Sequence, residues 1–221
     1  ASKVSFLKSL RGGADLYFDS GDCVRSGNLS LPIFTDDCWS LLEQAECDAV
    51  CPGNRESHPL VAGVNAKFAG CDHTVLCANW MTKAGEPVFP ASKVFDRGGV
   101  LVGVFGVMVA MVTSKMKTQV ASAYLWDPPL DVAVTVACEL RAKCDVVIAL
   151  THVGIAQDRR LADMTTDIDL ILGGHSHTVL TTPEVVNGTP ICQGGSHARF
   201  VGRYVLEPGR GLVSGELLPW S

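Results

Sequence analysis

The sequence predicts an α/β fold in which two β-sheets pack face to face and helices cover the outside. Strand-like and helix-like segments alternate along most of the chain, and residues 189–218 read as strands separated by Gly and Asn turns. With 221 residues, of which 47% are hydrophobic, the chain can bury one sizeable core. We therefore expect a single domain over residues 1–221.

The first half of the chain predicts three helices and three short strands. Helices are expected at residues 2–10, after the capping pair Asp36-Asp37, and after Pro59, where Leu60, Val61, Val64 and Phe68 would be buried. Strands are expected at residues 14–19, 48–51 and 74–78. The first two of these strands run directly into polar turns.

The second half predicts a hairpin and a further strand–helix alternation. The hairpin joins residues 94–95 to residues 100–107 around the turn Arg97-Gly98-Gly99. Helices are expected at residues 131–142 and 159–164, and strands at residues 145–150 and 169–172. The most apolar run, residues 100–112, is too short to span a bilayer, so we expect a buried strand and no membrane partner.

Charge and cysteine content limit the partners and the compartment. The net charge is -5, and no basic region is present that would follow a nucleic-acid backbone, so no nucleic-acid polymer is expected as a partner. The nine cysteines contain no Cys-x-x-Cys pair, and their odd number argues against a full disulfide framework. We expect a cytoplasmic rather than a periplasmic or extracellular protein.

Polar side chains follow four of the predicted strands at the point where each strand ends. They are Asp22, Asn54, His152 and the pair His175 and His177. In open α/β sheets, ligands bind at the carboxyl ends of the strands. We therefore expect these side chains to converge on one site.

The chemistry of these side chains favours a divalent transition metal. Carboxylate, amide and imidazole ligands suit Mn, Fe or Zn better than Ca or Mg. In a two-metal site, the ions hold the attacking and leaving oxygens of a displacement and provide hydroxide near neutral pH. Such a site requires no serine or cysteine nucleophile.

Four short blocks resemble the calcineurin-like metallophosphoesterase superfamily: Asp19-Ser20-Gly21-Asp22, Gly53-Asn54, Thr151-His152 and Gly174-His175-Ser176-His177. The flanking residues 145–154 and 167–177 are similar to its 5′-nucleotidase-like branch. The resemblance implies an α/β/β/α sandwich of two mixed sheets flanked by helices. It also implies a metal-dependent phosphoester hydrolase acting on a phosphorylated small molecule, such as a nucleotide or sugar phosphate.

The resemblance also implies a ligand set for two divalent ions, Mn, Fe or Zn. Asp22 would bridge both ions, Asn54, His152 and His175 would complete one, and His177 would serve the other. The superfamily's first block, Asp-x-His, does not occur before Asp22, and we therefore expect the second ion site to be weak or empty. The nucleotide-specificity domain of the branch is also not expected within residues 1–221, and the oligomeric state is not predicted.

A second departure concerns the residue after Asn54. The superfamily has a histidine there, as acid for the leaving oxygen or contact to the phosphate, whereas this chain has Arg55. Arg55 cannot donate a proton near neutral pH but can bind phosphate. We expect Arg55 to bind the phosphate and His58 to act as general acid. Asn28 and His197 are further candidates for contacts to the substrate.

Two other functions remain open from the sequence. Arg55 and the missing Asp-x-His block favour a catalytically impaired binding module on the same fold. Relatives of the branch also hydrolyse thiosulfate-type esters, although no residue of this chain favours that reaction.

Overall fold

The computed structural model describes residues 3–220, which form a mixed α/β arrangement. The α-helices are α1 (Lys3–Arg11), α2 (Asp37–Gln44), α3 (Val61–Lys67), α4 (Pro129–Arg141) and α5 (Ile155–Met164). The first six strands are β1 (Phe18–Asp19), β2 (Ala49–Val50), β3 (Trp80–Thr82), β4 (Ser92–Arg97), β5 (Val100–Met108) and β6 (Tyr124–Trp126). The others are β7 (Val146–His152), β8 (Leu170–Gly173), β9 (Glu184–Val186), β10 (Thr189–Cys192), β11 (Phe200–Glu207) and β12 (Gly211–Pro219).

A six-stranded sheet in the order β4-β5-β7-β8-β10-β9 forms the centre of the fold. Its four inner strands are parallel, and the two outer strands are antiparallel to their neighbours. Every residue of β7 is buried, as expected for a parallel strand covered on both faces. Because β7 and β8 are neighbouring parallel strands, the segments that follow them lie side by side at one edge of the sheet.

Helices cover one face of the central sheet and further strands cover the other. Helices α4 and α5 bury Ala133, Leu140 and Leu161 against one face. On the other face, Phe18 of β1, Tyr204 of β11 and residues of β2 and β12 pack against the sheet. The two-stranded sheets β1–β2 and β11–β12 therefore form the second β layer, and the predicted α/β fold with sheets flanked by helices is confirmed.

Several predicted elements are confirmed with small differences in length. Helix α2 begins after Asp36, whose carboxylate accepts a hydrogen bond from Cys38 N at 3.1 Å, as a helix cap does. The predicted hairpin is β4–β5, and its apolar second strand ends at Met108. The predicted first helix begins at Lys3 in the structure, and its expected start at residue 2 lies outside the described residues. Within residues 3–220, no helix has the length and apolar composition to cross a bilayer.

The prediction for the inward face of α3 was wrong in part. Leu60 and Val61 are exposed, at 52% and 51%, whereas Val64 is buried as predicted. Leu60 is the extended residue before α3 rather than part of its first turn, so the helix turns Gly63, Val64 and Lys67 inward. The consequence is that a lysine, rather than a leucine, lies in the interior.

Two of the predicted strands are mostly irregular. Residues 14–17 precede β1 without joining it, and residues 74–78 make only the single bridge from Val75 to Val50. Residues 74–78 instead pass between β2 and β5, because Leu76 N donates to Val50 O and Ala78 N donates to Gly106 O. The β3–β6 pair was not predicted, since its strands are three residues long and far apart in sequence.

Replacing Gly106 with alanine is expected to reduce the free energy of unfolding by about 3 kcal/mol. A methyl group there would overlap the carbonyl oxygen of Leu76, which is backbone and cannot turn away. Urea unfolding measures the effect, with Gly12→Ala as the control, since a methyl group on Gly12 would meet no atom within 4 Å. Equal losses in the two variants would contradict the proposed close packing.

Candidate active site

A cleft of about 420 Å³ lies where β1, β2 and β8 lead into their loops. It is lined by Asp22, Gly27, Asn28, Asn54, Arg55, His175 and His177. His152 ends β7 and lies below the cleft, buried and in contact with Asn54. The structure therefore brings together the Asp, Asn and His side chains that the sequence placed at strand ends.

His152 is held in one orientation by the backbone of the first loop. Its Nδ1 lies 2.7 Å from the carbonyl oxygen of Ser20, which can only accept, so Nδ1 carries a proton. In the neutral ring, Nε2 then presents a lone pair toward Asn54 Oδ1 at 3.2 Å and Asp22 Oδ2 at 3.5 Å. Burial lowers the pKa of His152, but the hydrogen bond and charge of Asp22 outweigh it, so the pKa is raised.

Asn54 connects two imidazoles from different loops. Its Oδ1 lies 2.8 Å from His175 Nδ1 and 3.2 Å from His152 Nε2, while its Nδ2 donates to Asn28 Oδ1 at 2.9 Å. The bond to Asn28 fixes the amide so that its oxygen faces the two rings. Burial and the neighbouring His152 lower the pKa of His175, which favours the neutral imidazole.

Asp22 is held from both sides by the loop after β2. Its Oδ1 accepts from Arg55 N at 2.8 Å, and its own N–H donates to Glu56 Oε2 at 2.9 Å. Burial raises the pKa of Asp22, but the hydrogen bond and charge of His152 and the bond from Arg55 together lower it below the usual value. Asp22 therefore stays ionised next to two imidazoles.

Three of the cleft side chains stand on left-handed backbone. The φ angles of Asp22, His175 and His177 are +62°, +73° and +56°. Such angles cost a non-glycine residue about 1–3 kcal/mol and concentrate at functional sites. The unusual backbone is therefore a further indication that these loops are shaped for a ligand.

Two proteins of similar sequence are named as a 5′-nucleotidase and a metallophosphoesterase. A 5′-nucleotidase from Vibrio vulnificus is 28% identical over 208 residues, which cover 78% of this chain and 37% of that protein. The uncharacterized metallophosphoesterase YunD from Bacillus subtilis is 26% identical over 198 residues, covering 86% and 42%. The chain thus spans less than half the length of these relatives.

Solved structures with a similar fold include a 5′-nucleotidase precursor and a sulfate thiohydrolase. A 5′-nucleotidase precursor from Thermus thermophilus superposes with a TM-score of 0.78 and 22% identity, covering 98% of this chain and 48% of that chain. The sulfate thiohydrolase SoxB from the same species superposes with a TM-score of 0.82 and 20% identity, covering 98% and 42%. No protein-family model matches the chain.

The resemblance of this chain to the calcineurin-like metallophosphoesterase superfamily is confirmed, since its named relatives are phosphoesterases and 5′-nucleotidases. The blocks around Asp22, Asn54, His152 and His175 predict the same 5′-nucleotidase-like branch.

The superfamily's requirement for a divalent ion can be compared with the donors present. Within residues 3–220, no three His, Cys, Asp or Glu side chains form a metal-binding group by themselves. The cluster is completed by an amide, and the contacts of Asn54 Oδ1 and Asp22 Oδ2 with the imidazole nitrogens span 2.8–3.5 Å. Ligand atoms at about 2.1 Å from one ion lie about 3 Å apart, so this donor set fits one divalent ion.

The residue that replaces the superfamily's histidine is turned toward the backbone. The Arg55 guanidinium donates from Nε to Ser26 O at 3.3 Å and from Nη2 to Arg25 O. Arg55 lines the cleft. To bind a phosphate through both Nε and Nη2, its guanidinium must first break the hydrogen bonds to Ser26 O and Arg25 O. Ion pairing of Arg55 with Glu56 or Asp37, the ordinary alternative for this residue, is not observed among the described ion pairs.

His58 is buried under α3. The side chain is buried, its Nδ1 accepts from Leu60 N at 3.0 Å, and Gly63 packs so closely that a methyl group there would overlap the ring. His58 is not among the residues that line the cleft. The packing of α3 over the ring is the physical reason, and the role of His58 as general acid stays a prediction.

The two remaining predicted residues lie near the cleft. Asn28 lines it and orients Asn54. His197 is exposed on the loop after β10, with its ring centroid 6.4 Å from that of His177. Contact of either residue with a substrate stays a prediction.

Two buried side chains that were not singled out from the sequence hold the cleft loops. Glu56 is fully buried and accepts from Gly53 N, Asp22 N and Val24 N at 2.7–3.0 Å. Gln193 accepts from Thr178 N and Ser176 Oγ and donates to Gly174 O at 2.7–3.0 Å. Glu56 stands in the fourth position of the Gly53-Asn54 block, so the motif itself was the available signal; Gln193 carried none.

Replacing Asp158 with asparagine is expected to change how stability depends on pH. Burial raises the pKa of Asp158 to about 7, and its Oδ2 has no hydrogen-bond partner within the described residues, while Oδ1 accepts from Thr151 Oγ1 at 2.6 Å. The folded state therefore binds this proton more tightly than the unfolded chain. Its stabilising contribution is complete below pH 3.8 and is lost as the pH rises through 7.

Relative to Asp158→Asn, the wild-type chain should therefore lose on the order of 4 kcal/mol of unfolding free energy between pH 4 and pH 8. Urea unfolding across this range measures the difference. Asp163→Asn, an exposed carboxylate on the same helix, is the control and should follow the wild-type curve. Parallel curves for wild type and Asp158→Asn would show that Asp158 is ionised in the folded state.

Proposed function

We propose that this chain carries the metal centre of a hydrolase of phosphoric esters, in which Asp22, Asn54, His152 and His175 hold a divalent ion. The observation that carries the proposal is the position of Asn54 Oδ1, which contacts the imidazoles of both His152 and His175 beside the Asp22 carboxylate. The names of the relatives, a 5′-nucleotidase and a metallophosphoesterase, support the same reaction class.

Two groups of this chain hold proposed metal ligands in place. The Ser20 carbonyl keeps the proton of His152 on Nδ1, and Glu56 holds the loop of Asp22. When bound, Mn, Fe or Zn would stabilise charge on phosphoryl oxygens and provide hydroxide near neutral pH. A second ion would be served by Asp22 and His177.

The phosphate side of the cleft would be formed by Asn28 and Arg55. Arg55 brings a positive charge to a cleft that otherwise holds a carboxylate, two amides and two imidazoles. Its guanidinium would release the carbonyls of Arg25 and Ser26 to bind phosphate oxygens in pairs. The substrate class is a phosphorylated small molecule, such as a nucleotide or a sugar phosphate.

The test is hydrolysis by the dialysed chain, reloaded with Mn, Fe or Zn, of p-nitrophenyl phosphate, nucleoside monophosphates and sugar phosphates. Elemental mass spectrometry gives the metal content. Asn54→Ala should lose both metal and turnover, whereas Asn65→Ala, exposed on α3, should keep both. Loaded wild-type protein that hydrolyses no phosphoester would refute the proposal. Thiosulfate-type esters are assayed alongside, because the SoxB structure shares the fold.

A binding module on the same fold is the second candidate. It is favoured by the Arg55 guanidinium, which bonds to backbone carbonyls, and by the buried position of His58 outside the cleft. This candidate predicts that the metal-loaded chain binds inorganic phosphate but hydrolyses neither phosphorus nor sulfur esters. Calorimetric titration with phosphate, performed beside the hydrolysis assays, separates it from the enzyme.

A further inference from the structure

Lys67 of α3 is a buried cation that reaches two of the cleft loops. Only 1% of its surface is exposed. Its Nζ donates to the carbonyl oxygens of Gly27, Asn28 and Ser57 at 2.7–3.0 Å and also to that of Arg55. Because an ammonium has three N–H donors, four carbonyl partners use its full capacity.

The loops that Lys67 joins form one wall of the cleft. Gly27 and Asn28 come from the segment after β1, whereas Arg55 and Ser57 come from the turn after β2. Gly27, Asn28 and Arg55 all line the cleft. Trp39 Nε1 donates to Lys67 O at 2.8 Å and so anchors the lysine from behind.

Burying the ammonium of Lys67 costs free energy that would not be needed merely to fill the space. Burial lowers the pKa of Lys67 to about 8, although the carboxylate of Glu56 acts in the opposite direction. An apolar side chain of similar length would fill the space without placing a charge in the interior. The lysine instead fixes the relative position of two backbone segments that no β-ladder connects.

We propose that Lys67 is a positioning residue that holds Asn28 and Arg55 in place for the phosphate of the substrate. The inference rests on the proposed function for the identity of the substrate, but the ordering of the two loops is independent of it. Lys67 does not touch the ligand itself. It acts through the carbonyl groups of the residues that do.

The first measurement is phosphate affinity and steady-state kinetics of the Mn-loaded full chain. Lys67→Met keeps the length of the side chain and removes the ammonium, and Lys67→Gln keeps two donors in case the methionine variant does not fold. Both should raise the Kd for inorganic phosphate and the KM for p-nitrophenyl phosphate about tenfold, with kcat and metal content little changed. Lys83→Met is the control, because its exposed amine also donates to a backbone carbonyl, that of Val120.

A double-mutant cycle separates positioning from a general effect on folding. In the Arg55→Ala, Asn28→Ala background, Lys67→Gln should change phosphate affinity less than about twofold, because the residues through which it acts are gone. An unchanged phosphate Kd in a folded Lys67→Gln protein would overturn the inference. So would an effect of the full size that persists in the doubly substituted background.

Hydrogen exchange tests the inference without any activity. In the unloaded chain, Lys67→Gln should accelerate amide exchange at residues 25–30 and 55–57, while β5 and β7 keep their protection. If the wild-type chain hydrolyses no ester, the proposed function fails, and the exchange data still decide on Lys67. Unchanged exchange in both loops would overturn the positioning role.

Discussion

Replacing His152 with alanine is expected to reduce phosphoester hydrolysis by more than about 100-fold and to lower the metal content of the purified chain. Loss of a residue that only orients a metal ligand already costs about 10–100-fold, and His152 is proposed to bind the ion directly. Its Nε2 faces Asp22 and Asn54, while Nδ1 is bonded to Ser20 O. The alanine variant would lack the most buried of the four proposed metal ligands.

The measurements for His152→Ala are metal content by elemental mass spectrometry and turnover at saturating Mn. His73→Ala is the control, since His73 lies outside the cleft, against the backbone of Trp39. Urea unfolding of each variant shows whether the fold persists. A folded His152→Ala protein with wild-type metal content would contradict the assignment of His152 as a ligand.

Replacing Glu56 with alanine is expected to destabilise the chain by about 4 kcal/mol. The carboxylate is fully buried and accepts from the N–H groups of Gly53, Asp22 and Val24. Alanine would leave three backbone donors without a partner in the interior. The same substitution should weaken metal binding, because the N–H of Asp22 is one of the three donors.

Glutamine at position 56 distinguishes shape from hydrogen bonding. Its amide oxygen can serve two of the three N–H groups, but its NH₂ group would face the third donor, so an intermediate loss of stability is expected. Glu139→Gln, exposed on α4, is the control and should stay within about 0.5 kcal/mol of wild type. Urea unfolding gives all three values, and a Glu56→Gln protein as stable as wild type would contradict the role of the carboxylate.

The proposed metal centre and the Lys67 inference concern different layers of one cleft. Asp22, Asn54, His152 and His175 form its floor. Gly27, Asn28 and Arg55 form a wall that Lys67 joins from below. Measurements of metal content therefore test the residues of the floor, and measurements of phosphate affinity test the residues of the wall.

The sequence by itself determined the fold class and the set of polar residues that converge. Strand periodicity and strand ends are local properties, and a parallel sheet brings the carboxyl ends of its strands to one edge. Within each sheet this places the segments of Asp22 and Asn54 side by side after β1 and β2, and those of His152 and His175 side by side after β7 and β8, whereas the meeting of the two pairs depends on the packing of one sheet on the other. The hairpin β4–β5 and the cap at Asp36 were predictable for the same reason, because their signals lie within a few residues.

Only the tertiary structure decided which side chains face the cleft and which support it from below. Lys67 and Gln193 are buried because distant segments close over them, and no local pattern indicates that. The orientation of Arg55 and the burial of His58 likewise depend on contacts with Arg25, Ser26 and Gly63. Motif spacing identifies residues that must meet at a strand end, whereas the direction of each side chain is set by long-range packing that the spacing does not contain.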